Sequence, residues 1–219
     1  MKKLIVLLIG FMVIGCATAQ KSKVIQPNED PESYQRLVNI GSKLLPLMDD
    51  ENKQKYRIVI VDYDGVNAWT TGGQNPGIFF TRETLNYFTD DELTFIYAHE
   101  VSHVKLGHVE TKTAASVITT TAFNVANIFI PGAGLLNLLA NPLITSAFSR
   151  PQELEADKLA VESLNRCCQI PKDAAISAHE KLLEIAKAKG YKEEDRLGIL
   201  DTHPSLEERI RKIRELNLE

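Results

Sequence analysis

An α+β, mostly helical, single-domain fold is predicted from three observations. Several long stretches read as helices, only two short runs rich in β-branched and aromatic residues read as strands, and no internal repeat divides the chain. Taken in order, Lys2 and Lys3 precede an apolar run over residues 4–14, an export leader too short for a confident membrane span. Removing residues 1–15 from the 219 leaves 204, enough for one domain with a real core. Residues 16–29 are polar and read as a short tether, and residues 30–219 as the folded domain. Within that domain 31–47 reads as a helix, and 56–61 and 78–81 as strands of a small mixed sheet. Further helices are expected around 90–106, from 149 onwards, over 173–189 and over 205–216. In the last of these, Pro204 suits the first turn, and Glu207 and Glu208 suit its positive end. Losing Lys2 and Lys3 moves the formal charge from −4 to −6, and an acidic mature chain argues against nucleic acid as a partner.

The most informative stretch is His99-Glu100-Val101-Ser102-His103, an H-E-x-x-H pattern. Asp90, Asp91 and Glu92 supply acids and a cap ahead of Leu93, Phe95, Ile96, Val101, Val104 and Leu106, an apolar series with helical spacing. At about 100° per residue, His99 and His103 lie roughly 40° apart around the axis and one turn along it, so both can bind one tetrahedral ion. Glu100 lies beside that face and can reach a water in the open coordination position to take its proton. A catalytic zinc takes three protein ligands and a water. Downstream, Glu153 and Asp157 are four apart and share a helix face, while Glu155 points elsewhere. Glu153 is the expected third ligand. Asp157 would accept the second N–H of a ligating histidine and fix its tautomer.

With these residues in place, the chain resembles the HtpX-like zinc metallopeptidases, a group that includes CAAX prenyl proteases and periplasmic envelope peptidases. The resemblance rests on Asn67-Ala68-Trp69, Gly72-Gly73 and Gly77-Ile78-Phe79-Phe80-Thr81, then Leu85, Asp91-Glu92-Leu93 and the H-E-x-x-H itself. Arg150-x-x-Glu153-x-Glu155-Ala156-Asp157 and Thr202-His203-Pro204 with Arg209-Ile210 complete it. It implies a zincin fold of the Glu-ligand (gluzincin) type and one zinc ion held by His99, His103 and Glu153. It implies Glu100 as general base and acid, and His203 near the metal, either stabilising the oxyanion or occupying the open position. Arg209 would orient Asp157 or His203, or be exposed. Substrate would lie extended along Asn67, Ala68 and Trp69, adding a strand by backbone hydrogen bonding.

The other histidines read as ordinary. His108 lies five after His103, about 140° around a continued helix, and His179 sits in a polar helix, so both are expected at the surface. Cys167 and Cys168 are adjacent, a spacing that rarely bonds without backbone distortion, and read as buried small apolar residues or a redox liability, with burial favoured. Val13-Ile14-Gly15-Cys16 resembles a bacterial lipobox, with lipid attached at Cys16. Ala17-Thr18-Ala19 offers a rival cleavage pattern. Lipidation is preferred because the cysteine falls directly at the end of the apolar run, and Ala17 after it resembles the rule for sorting to an outer membrane. Residues 114–148 are largely apolar, broken by Pro131-Gly132-Ala133-Gly134, and read as a helical hairpin. It would pack on the domain, act as a lid, or touch the bilayer or a partner.

These expectations converge on a lipid-anchored metalloendopeptidase of a bacterial envelope, facing the periplasm from the outer membrane. Its partners would be unfolded or extended protein substrates, the membrane through the anchor, and envelope assembly machinery. A non-proteolytic chaperone or assembly factor at the outer membrane is the alternative, and intact Glu100 argues against it, since a binding module has no use for that base.

Overall fold

A computed structural model describes residues 23–63, 65–110, 148–188 and 206–218. Cys16, His203, the export leader and residues 114–147 of the apolar segment lie outside the described residues.

A four-stranded mixed sheet is ordered β1-β2-β4-β3, with β1 at Lys23–Ile25, β2 at Arg57–Asp62, β3 at Ala68–Thr70 and β4 at Gly77–Thr81. β1 pairs antiparallel with β2, β2 parallel with β4, and β3 antiparallel with β4. Side chains alternate across the sheet, and the alternation separates two apolar groups. Ile25, Ile60, Ala68, Ile78 and Phe80 join the main core. Val59, Val61, Trp69 and Phe79 cluster on the opposite face, where Trp69 and Phe79, paired in register, stack with centroids 5.1 Å apart. β1 corrects the sequence reading, since Lys23–Ile25 falls within the stretch taken as tether. Pairing with Ile60, Val61 and Asp62 gives its backbone the partners that local composition does not announce.

Helix α1 spans Pro31–Met48. Asp30 accepts a hydrogen bond from the Ser33 N–H at its start, and Pro31 occupies the first turn, where no N–H is needed. Its buried residues, Leu37, Ile40, Gly41, Leu44, Leu45 and Met48, follow helical spacing and face the core. Gly41 lets Tyr97 approach closely: a Cβ there would fall 2.6 Å from the Tyr97 hydroxyl oxygen, and the ring would have to shift.

Short helix α2, Arg82–Tyr87, leads into α3, Asp90–Lys105, which carries both histidines of the motif. The cap of α3 is Thr89, one residue ahead of the acids expected to supply it. Thr89 and Glu92 form a reciprocal capping box. All twelve residues from Glu92 to His103 are buried, so α3 is the central helix, packed by α1, the sheet, α4 (Arg150–Cys168) and α5 (Asp173–Ala188). Helix α6, Leu206–Glu215, packs on α4 and α5. Among the described residues no helix is long and apolar enough to cross a membrane.

Cys167 and Cys168 are joined in a disulfide at the half-buried end of α4, so the expectation of buried free thiols is corrected.

Candidate active site

One turn of α3 presents His99 and His103, and the first turn of α4 brings Glu153 against them. The two Nε2 atoms are 3.0 Å apart, and Glu153 oxygens lie 3.4 Å from His99 Nε2 and 3.7 Å from His103 Nε2. A tetrahedral ion with bonds of ~2.0–2.2 Å spaces its ligands by ~3.3–3.6 Å along each edge. The two imidazole nitrogens and the Glu153 carboxylate therefore converge at about the spacing a tetrahedral ion requires, with a different carboxylate oxygen nearer each histidine, and they could hold a metal. All three residues are buried.

Beyond the donors, Asp157 lies one helix turn after Glu153, as their spacing requires, and its Oδ1 is 3.0 Å from His99 Nδ1. Arg209, from α6, forks onto Asp157 with Nε and Nη2 at 2.7 and 2.6 Å, while its Nη1 is 2.9 Å from Glu153 Oε2. The alternative of an exposed Arg209 is excluded, since it is 4 % exposed. Burial alone would raise the Asp157 pKa, but the Arg209 charge and hydrogen bonds outweigh it and hold the carboxyl well below the usual carboxylate range. Burial likewise opposes charge on Arg209, and Asp157 and Glu153 overcome it, with Glu100 adding to the effect. For His99, burial and Arg209 favour the neutral ring, but hydrogen bonds to Asp157 and Glu153 raise its pKa.

Glu100 is buried beside His99, in a small cavity also lined by Phe95, His179, Leu206 and Arg209. Asn67 stands at the start of β3. Its N–H donates to Thr84 Oγ1, and its carbonyl accepts from the Thr84 hydroxyl and the Thr81 N–H. Thr81 is also the N-cap of α2, so the asparagine and threonine of the sequence pattern are two ends of one clamp. Among the described residues, the buried Asn67 side-chain oxygen has no hydrogen-bond partner. β3 is an edge strand, and among the described residues no strand pairs with its outer side. The antiparallel alternation turns the backbone groups of Ala68 and Thr70 toward that edge.

Two histidines expected at the surface are buried. Helix α3 ends at Lys105 and Gly107 adopts φ +69°, so the chain folds back and the rotation of a continued helix does not apply to His108. His108 Nδ1 lies 3.0 Å from His103 Nδ1, and its Nε2 lies 3.2 Å from Glu155 Oε2. A glycine just before His108 was the available signal for that reversal. His179 is 1 % exposed, with Nδ1 2.7 Å from the Ala175 carbonyl and Nε2 3.8 Å from Asp157. Burial, then the Arg209 charge, push its pKa down to about 3, so it stays neutral and leaves Asp157 to His99 and Arg209. Phe148 also escaped the sequence reading. It stacks on the His103 ring, centroids 3.7 Å apart, and nothing in its local sequence signals this.

Residues 31–217 match the family described as Peptidase family M48. The chain belongs to peptidase family M48. Among relatives of this M48 peptidase is "Metalloprotease LoiP" of Escherichia coli, 31% identical over 92% of this chain and 77% of that protein. A "Protease HtpX homolog" of Methylibium petroleiphilum is 27% identical over 92% of this chain and 79% of its own length. Another of that name, from Burkholderia multivorans, is 25% identical over 94% of this chain and 80% of its own. The HtpX-like resemblance is thereby confirmed, and the M48 chain is a metallopeptidase.

Proposed function

We propose that this M48 peptidase is a zinc-dependent metalloendopeptidase cleaving unfolded or misassembled proteins of a bacterial envelope. The observation that carries the metal reading is the convergence of His99, His103 and the Glu153 carboxylate on one point, with Asp157 on the far nitrogen of His99. Two imidazole nitrogens and a carboxylate are a donor set suited to zinc. Zinc, when bound, acidifies a water to a pKa of about 7 and polarises the peptide carbonyl.

The remaining work falls to the chain. Glu100, adjacent to His99, takes the proton of the attacking water and hands it to the departing amine. Asp157 accepts from His99 Nδ1–H, which keeps the Nε2 lone pair directed at the metal. Arg209 holds Asp157 ionised and keeps both Asp157 and Glu153 in place. Substrate lies antiparallel or parallel to β3 as an added strand, bonding to Ala68 and Thr70, and the buried Asn67 oxygen offers it an acceptor. Backbone recognition suits unfolded chains of varied sequence. By resemblance, His203 stabilises the oxyanion or, in a resting state, occupies the open position, and Cys16 carries the lipid that tethers the domain to the outer membrane on its periplasmic side.

The test is zinc content together with casein cleavage by the full chain in detergent, beside Glu100→Gln. We expect about one zinc per chain in both forms and cleavage only in the parent. Zinc bound without cleavage in either form would favour the chaperone alternative, and absence of zinc would sink the reading.

A further inference from the structure

We infer that His108 and Glu155 form a relay that positions His103 for metal binding, an inference that rests on the metal reading above. The argument is one of proton placement. If His103 Nε2 faces Glu153 and His99 as a donor to a metal, its single proton must sit on Nδ1. The atom 3.0 Å from that Nδ1 is His108 Nδ1, so it must be the acceptor, without a hydrogen. A neutral His108 then carries its proton on Nε2, 3.2 Å from Glu155 Oε2, a carboxylate that only accepts. Every donor meets an acceptor in this one arrangement. Reversing either tautomer sets two N–H groups, or two lone pairs, against each other.

The relay is built into the fold. His108 is 5 % exposed, placed there by the Gly107 turn, and Phe148 stacks on His103 with ring centroids 3.7 Å apart and lies tilted to His108 at 6.3 Å. Glu155 comes from α4, two residues after Glu153, on the side of that helix that faces solvent. A single helix turn thus supplies a metal donor to one side and the end of the relay to the other. His108 touches no substrate in this scheme. It acts through His103 and is a positioning residue.

The experiment is zinc affinity by chelator competition on the full chain in detergent, with the absorption spectrum of the cobalt-substituted form. The variants are His108→Leu, which removes the acceptor, and His108→Asn, whose side-chain oxygen can stand where Nδ1 stood. Outer partners of metal-bound histidines are worth about 10–100-fold in affinity. We expect His108→Leu to lose affinity in that range and to shift the cobalt spectrum, with His108→Asn within about threefold of the parent. Leu and Asn losing affinity equally would show a packing role only and overturn the inference. So would His108→Leu binding zinc within twofold of the parent. If His108→Leu does not fold, Glu155→Ala at the exposed end decides: a measurable loss of zinc affinity supports the relay, and unchanged affinity overturns it. A parent chain that binds no zinc would instead bring down the metal reading, and the relay with it.

Discussion

The two histidines of the motif are supported in opposite ways. Behind His99 stands a buried ionic arm in which the Asp157 side chain is 3 % exposed and forked by Arg209, itself 4 % exposed. Behind His103 stands a relay through His108 that ends on Glu155, whose side chain is 64 % exposed. One helix therefore anchors one ligand in a low-dielectric interior and hands the other to the solvent boundary. The physical difference is what each arm costs when broken. Removing one member of a buried ion pair strands a charge, whereas water can replace only part of what an exposed carboxylate contributes.

That contrast can be broken experimentally, and the largest effect should come from Arg209→Met. Two buried carboxylates, Asp157 and Glu153, would lose their shared counter-charge. We expect a destabilisation of about 3–5 kcal/mol in urea unfolding of the zinc-free chain. A loss below about 1 kcal/mol would mean that the His99 arm is no more ionic in effect than a surface pair.

Asp157→Asn probes the same arm closer to the ligand. We expect zinc affinity to fall about 10–100-fold, and more than for any change at Glu155. Equal losses at the two carboxylates would erase the distinction between buried and exposed arms.

Acid should act on the His99 side first. The folded pKa of Asp157 lies below its unfolded value, so its contribution is present above about pH 3.9 and is lost as pH falls below it. His179, held down to about 3, stays neutral in the fold while the unfolded chain takes up a proton below about pH 6.5. Stability of the zinc-free chain should therefore decline from about pH 6.5 downward and more steeply near 4. His99, raised in the fold, has the opposite sign: its contribution is complete below its unfolded pKa and is lost as pH rises through the folded one. His179→Leu should flatten the decline above pH 4 in thermal melts taken across the series. An unchanged profile would refute the neutral, buried assignment.

The smallest change is a control on both arms. Thr89→Ala deletes half of the capping box at the far end of α3. It should cost about 1 kcal/mol and leave zinc affinity within about twofold, because neither ligand nor its support moves. A larger loss of affinity would show that the whole helix, and not the arms, sets the ligand geometry.

What the sequence by itself determined is whatever depends on spacing along one element. The pairing of His99 with His103 follows from helical rotation, as does that of Glu153 with Asp157, and α1, α3, α5 and α6 stand within one or two residues of their expected bounds. The placing of Asp157 against a histidine of the motif was legible for the same reason, since only its depth on the helix had to be known. Tertiary structure decided the rest. β1 became a strand only by pairing with β2, more than thirty residues away. Arg209 reached Asp157 across 52 positions. His108 turned inward because Gly107 ended the rotation on which its expected direction rested. Helical periodicity states which way a side chain points from its own axis. What it meets there depends on how helices far apart in the chain pack together, and on where a glycine releases the backbone from that periodicity.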